Sequence, residues 1–135
     1  MSQNDGHYWL TPPELLESLE KEFHFDFDPC PFPRPDGFNS LIIDWGKRNF
    51  VNPPFKKIDG PFGAASAFVK KAIVEAEKGN LSVIILPISW SLHLLMEAGA
   101  EIRYIGPVYW INTQTGEKGH RKRPQVIGIL KGKGQ

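Results

Sequence analysis

Leu81-Ser82-Val83-Ile84-Ile85-Leu86 is an almost continuous apolar run. It predicts a strand buried on both faces, the pattern of a sheet covered by helices. The flanks agree. Residues 62–78 place Ala65, Phe68, Val69, Ala72, Ile73 and Ala76 on one helical face, and Gly79-Asn80 ends that helix. Residues 91–98 predict a short helix closed by Gly99, and residues 102–105, 108–111 and 126–130 predict strands. Residues 112–123 form a polar loop. Upstream, Thr11-Pro12-Pro13-Glu14 has the form of a helix start, with Thr11 as cap, proline in the first turn and Glu14 closing a capping box. Leu15, Leu16, Leu19 and Phe23 follow at helical spacing. Short strands are predicted at 25–28, 41–43 and 49–52, with a proline-dense loop at 29–37. This alternation predicts a single α/β domain over residues 1–135, with 1–10 flexible and 131–135 a tail.

A chain of 135 residues with 41% hydrophobic side chains can build one buried core. Four Trp within an aromatic share of 12% leave rings to stack on a flat ligand. The formal charge of +1 gives no overall field, yet Glu14, Glu17, Glu20 and Glu22 crowd the first half and Lys118, Arg121, Lys122, Arg123, Lys131 and Lys133 the last stretch. Cys30 is the single cysteine, so an intrachain disulfide and a Cys-rich zinc site are excluded. No metal is expected. With no long apolar run and no signal-like N-terminus, the expectation is a soluble cytoplasmic protein without a membrane partner.

The chemistry concentrates in Asn52-Pro53-Pro54-Phe55, directly after Phe50-Val51. An exocyclic aromatic amine is a poor nucleophile, because its lone pair is delocalised into the ring. To attack a methyl sulfonium it must be held in line with its N–H groups engaged. The Asn52 carbonyl offers one acceptor. The Pro53 main-chain carbonyl offers a second, aimed outward by the extended Pro-Pro step. Phe55 offers a ring for a base that has left its duplex. Positioning supplies most of the rate, since the methyl is already activated. The alternative is a proline turn that merely ends a strand.

The order of motifs resembles the phage-type DNA N-6-adenine methyltransferase family. Its Trp-x-Thr-Pro element stands here as Trp9-Leu10-Thr11-Pro12, its Phe-x-x-Asp-Pro element as Phe25-Asp26-Phe27-Asp28-Pro29, its Asp-Trp pair as Asp44-Trp45, and its catalytic segment as residues 50–55. The similarity continues more loosely through Val83-Ile84-Ile85-Leu86-Pro87, Ser89-Trp90 and the strand after Arg123-Pro124. It implies a compact Rossmann-like fold that uses S-adenosylmethionine and has no separate target-recognition domain.

It further implies that Trp9, Thr11 and Pro12 hold the methionine end of the donor, where a helix N-terminus suits a carboxylate. Asp28, followed by Pro29, would face the donor's ammonium group, Asp44 its ribose hydroxyls, and Trp45 its adenine, unless Trp45 is a core aromatic. The Gly-x-Gly loop common among methyltransferases is absent, and residues 31–35 stand in its place. Lys56, Lys57, Arg121, Lys122 and Arg123 are candidates to neutralise phosphates of double-stranded DNA. His7 and Tyr8 are weaker pocket candidates, and His93 reads as structural. The tetrapeptide alone also serves methylation of adenine in RNA or of a glutamine side chain. A non-catalytic nucleic-acid or nucleotide binding module of methyltransferase descent is a rival of another class. The lack of a long insertion implies short or loosely specified target sites, in a bacterial or phage-infected cell.

Overall fold

β3, Leu81–Pro87, is an inner strand of a four-stranded mixed sheet. β2, Arg48–Val51, pairs with it in parallel on one side. β6, Pro124–Leu130, pairs with it antiparallel on the other, and β4, Glu101–Pro107, lies antiparallel beyond β6. The order is β2-β3-β6-β4. β3 and β4 therefore point the same way, with β6 inserted between them in the opposite sense. The structure is a computed structural model and describes residues 9–54, 65–113, 115–119 and 124–135, with the main chain alone for Trp9 and Trp90.

The apolar run of β3 is explained by alternation, because successive side chains point to opposite faces. Val83 and Ile85 pack with Phe50, Ile127 and Ile129 against Leu19 and Phe23 of α1, Pro13–Phe23. Ile84 and Leu86 pack with Val51 against Val69 and Ala72 of α2, Ala65–Glu77, and Leu95 of α3, Trp90–Glu97. Helices cover both faces, so Leu81 to Leu86 are all buried. No described helix is long and apolar enough to cross a membrane.

Residues 25–28 extend the parallel side past β2. The N–H groups of Asp26 and Phe27 donate to the Arg48 carbonyl at 2.8 and 3.3 Å, and Phe50 N–H donates to the Phe27 carbonyl at 3.1 Å. Phe27 and Asn49 form a single parallel bridge. The predicted strand is thus one bridge long, and the prolines of the next loop lead the chain away from the sheet.

Two expectations are corrected. Residues 41–43 do not form a strand. A 3-10 turn spans Ser40–Ile42, because the Asn39 side chain accepts from Leu41 N–H at 3.0 Å and bends the chain; Ile42 is left 79% exposed. Residues 108–111 are not a strand of the main sheet. Val108 and Trp110 are buried in the core, and β5, Ile111–Asn112, pairs antiparallel with β1, Trp9–Leu10. Residues 131–135 lie beside the end of α2. Lys133 N–H donates to the Ala76 carbonyl at 2.7 Å, and the Gln135 amide to the Gly79 carbonyl at 3.2 Å.

Glu75 shows how α2 ends. Its carboxylate is fully buried, yet it accepts from Lys71 at 2.9 Å, Lys78 at 3.1 Å and Asn80 at 2.8 Å. Burial alone would raise its pKa, but these three partners together hold it below the ordinary value of 4.5. The depressed value means that the network's stabilisation is complete above the ordinary value and is lost as pH falls through the lowered one. Glu75→Ala removes the acceptor shared by Lys71, Lys78 and Asn80, and we expect a loss of about 1–3 kcal/mol in urea unfolding.

Candidate active site

In open sheets with parallel strands, ligands bind beyond the carboxyl ends of those strands. A cavity of about 500 Å³ occupies that place here, at the ends of segment 25–28 and of β2. Its size lies within the range of small-molecule sites, roughly 300 to 1,000 Å³. Asn52, Pro53 and Pro54 line it, as do Asp28, Thr11 and Leu10. Phe25, Phe27, Phe32 and Phe50 make much of the lining aromatic, and α1 contributes Leu16 and Glu20. The cavity side of α1 is anchored from its last turn. Arg48 donates to the Phe23 carbonyl, and Arg103 makes a two-pronged ion pair with Glu22 at 2.8 and 2.7 Å, its guanidinium 5.7 Å from the Phe23 ring centre.

β2 stops at Val51 because Pro53 and Pro54 have no N–H to continue the ladder. Asn52, the first residue past the strand, donates its side-chain N–H to the Thr11 hydroxyl at 3.2 Å. Thr11 does not cap α1. The cap is Pro12, with no side-chain hydrogen bond, so Glu14 falls too early in the helix to complete the capping box. The first turn also offers an anion little. Pro13 has no N–H, and the N–H groups of Leu15 and Leu16 donate to the Pro12 carbonyl at 3.1 Å.

Asp28 faces the cavity, and Cys30 N–H donates to its carboxylate at 2.8 Å. Desolvation by the surrounding walls raises the Asp28 pKa, and the Cys30 N–H opposes part of that rise. The Asp28 side chain keeps contact with solvent, and its charge suits a cationic ligand in the cavity. Burial and the neighbouring Asp28 charge push the Cys30 thiol well above its ordinary value, so it remains protonated.

The other predicted donor contacts separate. Pro29 adjoins the cavity through a brace: its carbonyl accepts from the Ser40 hydroxyl at 2.7 Å, and the Ser40 carbonyl accepts from the Trp45 indole at 2.8 Å. Trp45 is a buried core aromatic on the α2 side of the sheet, not a cavity residue. Asp44 is 89% exposed and pairs with Lys78 at 2.8 Å. It precedes β2, at the end opposite Asn52. Pro12 lines a smaller groove of about 250 Å³ with Tyr109 and Lys118. His93 pairs with Glu97 at 3.3 Å on an exposed helix face. Phe55, Lys56, Lys57, Arg121, Lys122, Arg123, His7, Tyr8 and the Trp9 side chain lie outside the described residues.

Sequence reasoning missed Leu10, Leu16, Glu20 and Phe32 as lining residues. Leu16 carried a usable signal. It lies on the apolar stripe of α1 four residues before Glu20, and remains 37% exposed because it borders the cavity instead of the core. Gly46 sets the width of the sheet beneath the site. A Cβ there would lie 2.3 Å from the Asp26 carboxylate and 2.7 Å from Phe27 Cβ. Gly46→Ala should displace segment 26–28, at a cost of about 1–3 kcal/mol in urea unfolding.

Among the described residues, no group of three His, Cys, Asp or Glu side chains is placed to hold a metal ion. Comparison with curated proteins and with solved structures yields no match. A family model described as DNA N-6-adenine-methyltransferase (Dam) matches residues 1–133. With the match running over nearly its whole length, the chain belongs to the DNA N-6-adenine-methyltransferase family, enzymes that methylate adenine in DNA.

Proposed function

We propose that the chain transfers a methyl group from S-adenosylmethionine to the exocyclic amine of an adenine turned out of double-stranded DNA. The observation that carries this reading is that one cavity joins Asn52-Pro53-Pro54 to Asp28. The residues present fit the donor. A carboxylate on the cavity lining suits its ammonium group, aromatic and aliphatic walls suit its flat and apolar parts, and the volume is adequate. When bound, the donor supplies a methyl already activated on a sulfonium.

The chain's own residues then orient the nucleophile. The Asn52 side-chain carbonyl and the Pro53 main-chain carbonyl each accept one N–H of the adenine amine, which fixes the nitrogen in line with the methyl. The new N–C bond would form as the donor's methyl–sulfur bond breaks, with a neutral thioether as leaving group and the adenine amine's surplus proton passing to water. Phe55 stacks on the base, and Lys56, Lys57, Arg121, Lys122 and Arg123 meet phosphates around it. Pro29 anchors the loop that replaces the Gly-rich turn. Asp44 and Trp45 have no part in this arrangement, because one pairs with Lys78 and the other is core.

We read the mixed sheet as a compact Rossmann-like methyltransferase sheet forming a single domain, with short or loosely specified DNA targets and a cytoplasmic place of action. Titration calorimetry with S-adenosylmethionine tests the donor half: saturable binding is expected, and no heat at millimolar donor would refute it. Mapping protection against restriction enzymes tests the target reading, which a long, strict site would overturn.

A further inference from the structure

We propose that Thr11 is a positioning residue that sets the orientation of the Asn52 amide. The inference rests on the amine-holding role of Asn52 given above. Three observations converge on it. The Thr11 hydroxyl accepts from Asn52 Nδ2 at 3.2 Å, across 41 positions of sequence. The hydroxyl is not used as a helix cap, since Pro12 caps α1 without a side-chain bond. Thr11 is also held from both sides, by the β1–β5 ribbon before it and by α1 after it.

A primary amide has a donor face and an acceptor face of nearly equal size, and only the acceptor face can hold an amine N–H. Directing Nδ2 to Thr11 turns Oδ1 the other way, so the amide is aligned before any base arrives. Thr11 thus acts on the rate through Asn52 and not by binding the donor, the role that its motif implied.

Thr11→Val keeps the shape and removes the acceptor, whereas Thr11→Ser keeps the acceptor and removes a methyl. We expect Thr11→Val to lower kcat about tenfold, the effect of one hydrogen bond, with the KM for S-adenosylmethionine unchanged. Thr11→Ser should stay within about twofold of the parent. In 15N-resolved NMR spectra of the intact chain, the Asn52 side-chain amide signals should shift in Thr11→Val and hold in Thr11→Ser. A raised donor KM at unchanged kcat, or equal losses in both variants, would overturn the proposal. Unshifted Asn52 signals in Thr11→Val would do the same. The NMR arm reports on the Thr11–Asn52 contact even if the parent transfers no methyl to DNA, so the two readings fail separately.

Discussion

Asn52→Ala should lower methyl transfer by about 10²- to 10³-fold while the protein stays folded. That is the usual cost of deleting one preorganised polar group from a site that works by orientation. The alanine variant keeps the Pro-Pro step and the β2–β3 ladder, whose bonds are main-chain. It loses the hydrogen bond to Thr11, worth about 1 kcal/mol. Donor affinity should not change, because Asn52 is assigned to the base. Single-turnover transfer, donor calorimetry and urea unfolding on the same preparation separate these outcomes. A variant with full activity would remove Asn52 from the mechanism.

Asp28→Asn should weaken S-adenosylmethionine binding by about 10- to 100-fold, since a charge-assisted contact is worth about 1.5–3 kcal/mol. It should also make the free protein more stable at neutral pH. The Asp28 pKa is raised in the folded chain, chiefly by desolvation. The folded state therefore holds its proton to higher pH than the unfolded state does. Stability falls as pH rises from the ordinary value of 3.8 through the raised one, and the neutral amide avoids that loss. Donor binding has the opposite dependence and should weaken as pH drops through the raised value. A variant that binds the donor normally, or that melts earlier at pH 7, would contradict this role for Asp28.

Features encoded in a continuous stretch were legible from the sequence. The 81–86 run marked the two-sided inner strand, the face through Phe68, Val69 and Ala72 marked α2, and the Asn-Pro-Pro step marked the end of β2. Features set by distant partners were not. Thr11 had every local mark of a helix cap, but Asn52 takes its hydroxyl. Asp44 had the sequence context of a ribose ligand, but Lys78 reaches it from the end of α2. The Ile42-Ile43 pair had strand propensity, but a side-chain bond to Asn39 turned the chain first. Trp45 had two readings that only burial could separate.

The most direct measurement is nucleoside analysis of unmethylated duplex DNA incubated with the protein and methyl-labelled S-adenosylmethionine. The label is expected in N6-methyldeoxyadenosine, with its appearance reduced by at least about 10²-fold in Asn52→Ala. Label in a cytosine product, in no nucleoside, or in equal amounts with Asn52→Ala would contradict the account.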